Sequence, residues 1–444
     1  MAKPTRALIC GLGASGLAAA RLLRAEGARV LVVDERDTPA LRERAELVRA
    51  LGGEVVLGAS QAPSGEFDLA VASPGLDIDD AMLRGIHARG IPLVSELELG
   101  WSRFRGRTLA VTGSNGKSTV VKALAEILTL GGAAAVPCGN YGLPVAQAVL
   151  EHPQAAWLVI EVSSFQLETC AAFRPDIALM VNLQPNHLDR HGSMAVYARL
   201  KARLFQHQRA GDVALVPGDW LARFQEWSGG AGTWRTFGTA DDDDYACRAG
   251  GVGGEGIEVS LAGTWLDNAV LGPNMAGLVG AAAAAGVPAD IIERGLRSLT
   301  PLPHRAQVVA ERGGVRWVND SKATNLAAMM ASIRMQNRPI WLIAGGRAKE
   351  TDFAAAAETL REWARGVLLI GEATEAMRAA WGQVVPCWNC DTLETAVREA
   401  RAMARPGDCI LLAPACTSYD QFASYVERGD AFARLAADGK TAQE

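Results

Sequence analysis

The sequence has few cysteines and no long hydrophobic run. Eight cysteines are scattered over 444 residues, so no disulfide framework is expected and the thiols should be reduced. Cys387 and Cys390 have CxxC spacing, but no second pair completes a zinc site. The longest apolar stretch, residues 277–287, is rich in alanine and glycine and too short to span a bilayer. The N-terminus lacks the apolar core of a signal peptide before its first glycines. We therefore expect a cytoplasmic protein without a membrane segment.

There is also no excess of positive charge. Lysine and arginine total 44 against 49 aspartates and glutamates, which gives a net charge of -5. This balance excludes a surface built for wrapping nucleic acid. Apolar residues make up 49% and charged residues 21% of the chain, as in ordinary globular proteins. We expect small-molecule ligands, with any phosphate captured at local sites.

Short apolar runs alternate with helical periodicity along the chain in three blocks. Such alternation predicts an α/β fold with mostly parallel sheets, and 444 residues suit about three domains. Pro301 and Pro303 give a stiff linker before the third block. The predicted strands are 7–10, 30–33, 54–57, 69–72, 91–94, 108–111, 157–161, 177–182, 213–216, 315–318, 340–344, 366–370 and 409–413. A solvated acidic loop at 241–244, a β-rich excursion at 250–271 and an alanine-rich helix pair at 275–297 complete the second block.

The first glycine-rich motif is Gly11-Leu-Gly13-Ala-Ser-Gly16, which follows a predicted strand and opens a helix. Its glycines let backbone amides approach a diphosphate at the helix N-terminus, and Asp34, after the next strand, would accept hydrogen bonds from a sugar or base. A nicotinamide dinucleotide is the usual ligand of this motif. Any nucleotide diphosphate suits the same geometry, and close packing alone could also explain the glycines.

The second motif is Thr-Gly-Ser-Asn-Gly-Lys-Ser-Thr at 112–119, again between a strand and a helix. Consecutive amides would hold phosphates, Lys117 would reach the β- and γ-oxygens, and the hydroxyl of Ser118 or Thr119 would bind Mg²⁺. The loop is a short variant, because Val111 stands where the standard pattern has its first glycine. A phosphate loop beside a dinucleotide-type motif argues against a simple dehydrogenase.

Two further residues suggest metal positions. Glu161 ends a strand that we expect in the same sheet as the phosphate loop, and a hard carboxylate there suits Mg²⁺. His187 follows the next strand and offers a second metal position. Taken alone, a strand-end glutamate is more often solvated and a lone histidine is more often a satisfied surface or core residue.

Six motifs occur in an order that resembles the Mur ligases. They are the phosphate loop, EVSSFQLE at 161–168, NHLDRH at 186–191, LPHR at 302–305, NDSKATN at 319–325 and PACTSYDQF at 414–422. The resemblance covers essentially the whole chain. EVSSFQLE and NDSKATN are similar to the glutamate-adding member of that family. Folylpolyglutamate synthases share the phosphate loop but not these segments.

The resemblance implies three α/β domains. A Rossmann-like domain at 1–96 would bind a UDP-sugar substrate, a P-loop ATPase domain at 97–301 would bind ATP, and a Rossmann-like domain at 302–444 would close over ATP and bind glutamate. The first glycine motif is thereby reassigned from a nicotinamide dinucleotide to UDP.

The implied activity is an ATP-dependent ligation in cytoplasmic peptidoglycan precursor synthesis. The L-alanyl carboxylate of UDP-N-acetylmuramoyl-L-alanine would attack the γ-phosphate of ATP, and D-glutamate would attack the resulting acyl phosphate. Ligation of L-glutamate is the alternative, since the same motifs could serve either enantiomer. Another Mur or folylpolyglutamate-type ligase, a nicotinamide-dependent dehydrogenase, and a nucleotide-binding protein without catalysis are further alternatives. We expect a monomer with no protein partner.

The resemblance also assigns roles to individual residues. The catalytic residues are Lys117, His187, Lys201 and Lys322. The ATP site comprises Gly113, Ser114, Asn115, Gly116, Lys117, Ser118, Thr119, Asn274, His304, Arg305 and Asp320. The UDP-substrate site comprises Ala14, Ser15, Asp34, Glu35, Gly75 and Asn140, and the glutamate site Thr324, Lys349, Ser418 and Tyr425. Two Mg²⁺ ions would be held by Ser118, Thr119, Glu161, His187 and Lys201, the last as a carbamate. Without the resemblance, Lys201 would be expected as a solvated charge on a helix.

The chain departs from the family pattern at several positions. Residues 272–277 read Gly-Pro-Asn-Met-Ala-Gly where the family has Gly-x-His-Asn-x-x-Asn, so Gly277 replaces an asparagine expected at adenine. Asn186 replaces the aspartate before the histidine, which removes a charge beside the metal site. Arg347, Ala413 and Thr417 alter the segments of the glutamate pocket.

Overall fold

The part of the chain that the structure describes builds three β-sheets, each made mostly of parallel strands and flanked by helices. The computed structural model describes residues 2–77, 79–349 and 352–438. The chain forms two compact units: residues 1–183, 190–267 and 271–298 carry the first two sheets, and residues 184–189, 268–270 and 299–444 carry the third. The predicted fold class, three α/β blocks with mostly parallel sheets, is confirmed. The exact domain boundaries stay a prediction.

The first sheet is entirely parallel, with the strand order β3-β2-β1-β4-β5. Its strands are β1 (Arg6–Cys10), β2 (Arg29–Asp34), β3 (Glu54–Leu57), β4 (Leu69–Ala72) and β5 (Leu93–Ser95), and its helices are α1 (Ala14–Ala25), α2 (Pro39–Ala50) and α3 (Ala81–Ala88). The strand order reverses between β1 and β4. A crevice at the carboxyl ends of these strands is therefore the expected ligand position.

A short helix, α4 (Glu96–Trp101), leads from the first sheet to the second. Two of its carboxylates are buried and accept hydrogen bonds from backbone amides of the second block. Glu96 accepts from the amide of Ala146 at 2.6 Å. Glu98 accepts from the amides of Ala171 and Ala172 at 2.5 and 2.9 Å. Burial raises the pKa of Glu96 to about 7, although the Ala146 amide opposes this shift, and burial also raises the pKa of Glu98.

We expect the Glu96→Gln variant to change how stability depends on pH. Because the folded-state pKa of Glu96 lies near 7, above its ordinary value of 4.5, the folded state holds this proton more tightly than the unfolded state. The protonated Glu96 therefore contributes up to about 3 kcal/mol to the free energy of unfolding. This contribution is complete below pH 4.5 and is lost as pH rises through about 7. A carboxamide keeps the acceptor and does not ionise. Between pH 5 and pH 8, the melting temperature of the variant should rise relative to that of the wild type.

The matched control is Glu126→Gln, because Glu126 lies on an exposed helix face and pairs with Lys122 at 3.0 Å. This variant should follow the pH profile of the wild type. Parallel profiles for wild type and Glu96→Gln would contradict the assignment.

The second sheet has nine strands in the order β14-β13-β12-β11-β10-β9-β6-β8-β7. Its strands are β6 (Arg107–Thr112), β7 (Ala135–Gly139), β8 (Trp157–Glu161), β9 (Ile177–Met180), β10 (Val213–Pro217), β11 (Thr233–Gly238), β12 (Tyr245–Arg248), β13 (Gly251–Gly254) and β14 (Ile257–Ser260). All pairs are parallel except the meander β12-β13-β14. Strand β6 lies between β8 and β9, so the segments that follow these three strands meet at one edge.

Helices cover both faces of the second sheet. They are α5 (Lys117–Leu130), α6 (Val145–Glu151), α7 (Ser164–Glu168), α8 (Leu188–His191), α9 (Met194–Ala202), α10 (Leu221–Ser228), α11 (Gly272–Ala284) and α12 (Ala289–Ser298), with 3₁₀ turns at Arg203–Phe205 and Gly218–Trp220. Of these helices, α11 is buried over most of its length, because its alanines and glycines allow close packing on the sheet.

The third sheet has the order β15-β16-β20-β17-β18-β19 and is parallel except for the β15-β16 pair. Its strands are β15 (Gln307–Arg312), β16 (Val315–Asn319), β17 (Ile340–Gly345), β18 (Ala364–Ile370), β19 (Cys387–Asp391) and β20 (Cys409–Ala415). Its helices are α13 (Leu326–Arg334), α14 (Ala357–Trp363), α15 (Thr374–Trp381), α16 (Leu393–Met403) and α17 (Tyr425–Ala437), with a 3₁₀ turn at Phe353–Ala356.

Every predicted strand has a counterpart, and the helix pair at 275–297 is confirmed as α11 and α12. The predicted β-rich excursion contains β13 and β14 but no strand from 261 to 271. Strands β7, β11, β12, β15 and β19 were not predicted. Several of them carry polar or half-exposed residues, so they lack the continuous apolar run that marks a buried strand.

The cysteines are free thiols, as expected. Cys387 and Cys390 lie on the edge strand β19 and pack against different hydrophobic clusters. Their CxxC spacing therefore places them on opposite faces of the sheet. Among the residues that the structure describes, no helix is long and apolar enough to cross a membrane.

Candidate active site

A cavity of about 340 Å³ opens at the carboxyl ends of the first sheet, where the strand order reverses. It is lined by Gly11, Gly13, Ala14, Ser15, Val33, Asp34, Glu35, Arg36, Ser73, Pro74, Gly75, Leu76 and Met82. The structure thus gathers five of the six residues predicted for the UDP substrate. Asn140, the sixth, donates from its side-chain amide to Glu161 at 2.6 Å.

Asp34 holds together two of the segments that line this cavity. Its carboxylate is buried and accepts hydrogen bonds from the amide of Leu12 at 2.7 Å and of Arg36 at 3.0 Å. It therefore ties the glycine turn after β1 to the end of β2. Arg36 lines the cavity but was absent from the predicted set, although it directly follows the predicted residues Asp34 and Glu35.

The phosphate loop joins β6 to α5. Gly116 caps the helix with a left-handed φ of 85°, and a Cβ there would lie 2.9 Å from the side-chain nitrogen of Asn274. Only glycine meets both conditions without strain. The loop thus presents the N-terminus of a 14-residue helix, where the backbone dipole favours anions.

Lys117, the first residue of α5, folds back over the loop. Its ammonium donates to the carbonyls of Gly113 at 2.8 Å and Ser114 at 3.0 Å. The ammonium thus lies at the phosphate loop, where a positive charge can offset the negative charge of a transferred phosphate.

Two asparagines brace the loop from outside the motif. The backbone carbonyl and side-chain oxygen of Asn182 accept from the amides of Ser114 and Asn115, each at 3.0 Å. Asn182 also donates to the side chain of Asn274 at 3.2 Å. Asn274 was a predicted ATP-site residue, whereas Asn182 was missed even though it begins the segment that leads to His187.

The departure at Gly277 has a packing explanation. Gly277 is buried in α11, and a Cβ there would lie 2.8 Å from Phe237 and 3.0 Å from Leu179. Both neighbours are buried in the core. An asparagine would not fit on this helix face unless the two side chains moved, so the replacement suits the local packing.

Restoring the family asparagine should therefore destabilise the protein. We expect Gly277→Asn to lower the free energy of unfolding by about 1–3 kcal/mol through overpacking against Phe237. Denaturant titration measures this loss. Ala276→Ser is a neighbouring helix control that adds a small polar group without the Phe237 clash, and it should cost less. A Gly277→Asn protein as stable as the wild type would contradict the packing account.

Glu161, at the end of β8, lies next to the phosphate loop. Its buried carboxylate accepts from the hydroxyl of Ser118 at 2.5 Å and from the amide of Asn140 at 2.6 Å. The structure therefore brings together two of the predicted metal-site residues. A carboxylate and a hydroxyl beside a phosphate loop are donors that suit Mg²⁺, which binds few protein ligands and completes its shell with phosphate oxygens and water.

The described residues contain no cluster of three or more His, Cys, Asp or Glu side chains that could form an all-protein metal site. His187, the residue predicted for a second ion, follows β9 with a left-handed φ of 55°. It is half-buried, and its metal role stays a prediction.

Lys201 is buried, whereas the sequence alone predicted a solvated side chain. It lies in α9, is 1% exposed, and donates to the carbonyl of Gly113 at 2.9 Å and the hydroxyl of Thr112 at 3.3 Å. Its amine also lies 4.5 Å from the centre of the Tyr197 ring. Burial holds the pKa of Lys201 well below its usual range, and the charge of Lys117 lowers it further while Glu161 opposes the shift.

In the second unit, Lys322 follows β16 and lies over the ring of Tyr425, with its ammonium 4.0 Å from the ring centre. Ser418 is buried just after β20, and Lys349 is exposed after β17. Thr324 is half-buried before α13. The predicted glutamate-site residues thus follow strands that are adjacent in the sheet, at its carboxyl edge.

His304 and Asp320 were predicted on the ATP side. His304 is buried with a left-handed φ of 60°, and its Nδ1 lies 3.1 Å from the side-chain nitrogen of Asn319. Burial raises the pKa of Asp320 to about 6, opposed by the hydroxyl of Ser332, the amide of Ala306 and the charge of Arg305.

Arg428 was not recognised from the sequence. It is buried in α17, where its guanidinium donates to the hydroxyl and carbonyl of Ser321 and to the carbonyl of Cys416, each at 3.0 Å. Burial lowers the pKa of this side chain to about 10. Arg428 therefore holds the segment before Lys322 against the segment before Ser418.

Comparison with known proteins agrees with this arrangement. Three family models match the chain: a Mur ligase MurD-like N-terminal domain at 5–95, a Mur ligase middle domain at 111–260 and a Mur ligase glutamate ligase domain at 304–416. Two similar relatives are named UDP-N-acetylmuramoylalanine--D-glutamate ligase. The one from Nitratidesulfovibrio vulgaris (strain DP4) is 38% identical, with 96% of this chain and 94% of the relative covered. The one from Rubrobacter xylanophilus is 40% identical, with 97% and 98% covered.

Among solved structures, the MurF ligase from Thermotoga maritima in complex with ADP is similar in fold. Its TM-score is 0.64 at 16% identity, and 97% of each chain is covered. The matches to the family models and the identity to the relatives over nearly their full length show that this chain belongs to the Mur ligase family.

Proposed function

We propose that this protein is an ATP-dependent ligase that adds D-glutamate to the L-alanyl carboxylate of UDP-N-acetylmuramoyl-L-alanine, in peptidoglycan precursor synthesis. The observation that carries the proposal is the group formed by Lys117, Glu161 and the buried Lys201 around one phosphate loop. The relatives named for this reaction support the choice of substrates. A nicotinamide-dependent dehydrogenase would not need these three residues around a phosphate loop.

The chain's own residues supply the ATP side of the reaction. The N-terminus of α5 and Lys117 would bind the phosphates and neutralise charge on the transferring group. Ser118 or Thr119 would hold one Mg²⁺ together with Glu161, and His187 would hold the other. Lys201 would contribute to the metal sites as a carbamate. When bound, Mg²⁺ would polarise the phosphate oxygens and offset their negative charge. Asn274, whose side-chain nitrogen lies next to Gly116, would contact the nucleotide.

Lys201 is proposed to function as a carbamate. Because burial lowers its pKa, more of its amine is neutral than in an exposed lysine, and the neutral amine can act as a nucleophile. Attack of the neutral amine on CO₂ forms an N–C bond and releases one proton, which leaves an anion in place of the amine. The carbamate anion would be attracted by the charge of Lys117 and would offer oxygen donors beside the loop.

The cavity of the first sheet is proposed to bind the uridine diphosphate part of the substrate. Ala14 and Ser15 lie at the N-terminus of α1, where a diphosphate is favoured, and Glu35 and Gly75 line the same cavity. Asn140 would then act further along the substrate, near Glu161.

The second unit is proposed to bind glutamate and close the ATP site. Lys322, Lys349, Thr324 and Ser418 offer ammonium and hydroxyl donors suited to two carboxylates, with Tyr425 beside Lys322. His304, Arg305 and Asp320 would contact ATP. The three functions correspond to domains at 1–96, 97–301 and 302–444. We propose that the protein acts as a cytoplasmic monomer without nucleic-acid or membrane partners.

Oxygen transfer tests the proposed chemistry directly. If the substrate carboxylate attacks ATP, one of its oxygens leaves with phosphate when glutamate attacks the acyl carbon. UDP-N-acetylmuramoyl-L-alanine labelled with ¹⁸O in its terminal carboxylate should therefore give ¹⁸O-labelled inorganic phosphate, detected by mass spectrometry. Product formed with unlabelled phosphate would contradict an acyl-phosphate intermediate.

A further inference from the structure

Arg190 lies between the UDP cavity and the metal-binding segment of the second sheet. Its guanidinium donates to the carboxylate of Glu168 at 2.7 Å and to the carbonyl of Leu76 at 3.0 Å. It also pairs with Asp77 at 2.9 Å. Leu76 lines the UDP cavity, and Glu168 ends α7, the helix that follows Glu161. One side chain thus joins the substrate loop to the segment that begins with the proposed metal carboxylate.

The contact is specific to a guanidinium. The guanidinium contacts three oxygens, two from residues 76–77 and one from the end of α7, and it lies 5.4 Å from the centre of the Phe165 ring. A lysine would supply one point charge and could not reach these acceptors in one plane. The side chains of Arg190 and Glu168 are 20% and 9% exposed, so removing either partner leaves a largely desolvated charge.

The network continues from Glu168 to the phosphate loop. The Nδ1 of the buried His191 lies 3.6 Å from Glu168, and its Nε2 lies 3.0 Å from the hydroxyl of Ser164. The His191 ring stacks on Tyr197 at 5.4 Å, and the Tyr197 hydroxyl lies 3.3 Å from that of Ser114. Contacts therefore run without a break from the UDP cavity to the loop that would hold ATP.

We propose that Arg190 is a positioning residue that couples occupation of the UDP cavity to the ATP site. This inference rests on the proposed function. Arg190 touches neither the phosphate loop nor the glycine turn of the cavity. It acts through the Leu76–Asp77 loop on one side and through Glu168 on the other.

Ligand-binding linkage tests the proposal. The affinity of a non-hydrolysable ATP analogue with Mg²⁺ is measured by calorimetry with and without saturating UDP-N-acetylmuramoyl-L-alanine. In the wild type, the UDP substrate should strengthen analogue binding by about 5-fold or more, as is typical of coupled sites. In Arg190→Gln the ratio should fall to about 1 while the analogue alone binds as in the wild type.

The matched control is Arg174→Gln. Arg174 also makes a partly buried ion pair, with Asp212 at 2.7 Å, but at the start of β10, on the opposite edge of the sheet from the site. The Arg174→Gln variant should be less stable than the wild type but should show the same coupling ratio. Asp77→Asn should reduce the ratio and have little additional effect when combined with Arg190→Gln.

The outcomes separate the two claims. A coupling ratio that persists in Arg190→Gln, or one that is absent from the wild type, overturns the role of Arg190. Absence of ligase turnover in a wild-type protein whose ligands still bind in a coupled manner overturns the proposed function and leaves the role of Arg190 standing.

Discussion

Replacing Lys117 by methionine is expected to reduce ligase turnover by at least about a thousandfold. The ammonium lies over the carbonyls of Gly113 and Ser114, so it is already held at the phosphate loop. Methionine has similar length and no charge, so the loop would keep its shape but lose the group that neutralises the transferring phosphate. Steady-state release of ADP, with all three substrates present, measures the effect.

Lys122→Met provides a matched control on the same helix. Lys122 lies further along α5 and pairs with the exposed Glu126 at 3.0 Å. That variant should retain turnover within about 2-fold, since exposed ion pairs contribute little. Circular dichroism should show both variants folded. A folded Lys117→Met protein with full turnover would remove the assigned role.

The second large effect is expected at Lys201. Alanine removes the amine that CO₂ would modify, and we expect kcat to fall by about 100-fold or more because an anionic ligand near the metal is lost. Arginine should be no better, since it stays charged in a buried position beside Lys117. Small carboxylates such as propionate should partly restore activity to Lys201→Ala, because they supply the missing anion to the cavity left behind.

Three controls test whether the rescue is specific to a carboxylate and whether the carbamate forms at Lys201. Chloride at the same ionic strength should give no rescue, and propionate should leave the wild type unchanged. Wild-type protein equilibrated with ¹³CO₂ should show a carbamate carbon resonance that Lys201→Ala lacks. An unaltered kcat in Lys201→Ala, or the same resonance in both proteins, would contradict the carbamate.

Lys117 and Lys201 show which parts of the site can be predicted from local sequence and which cannot. The phosphate loop was predictable because its spacing fixes a local structure between a strand and a helix, and Lys117 follows from that geometry. Lys201 was different, since a lysine on a helix is ordinarily solvated. Its burial depends on how α9 packs against α7 and α10 and brings the amine to Thr112 and Gly113, and no local sequence pattern predicts that packing.

The same distinction holds across the fold. Strands such as β8 were predictable because their apolar runs are continuous, whereas β15 and β19 carry exposed polar residues and derive their pairing from neighbours distant in sequence. Asn182 and Arg428 brace the site through contacts with segments far along the chain. Their roles could be recognised only after the strand order was known.

Turnover with the two glutamate enantiomers tests the central claim most directly. Purified protein is given ATP, Mg²⁺ and UDP-N-acetylmuramoyl-L-alanine with either D- or L-glutamate, and ADP release is measured together with the mass of the UDP-linked product. We predict stoichiometric ADP and a product extended by one glutamate with the D-enantiomer, and much slower turnover with the L-enantiomer. Preferred turnover of L-glutamate would contradict the assigned stereochemistry, and no turnover with either by a folded protein would contradict the ligase itself.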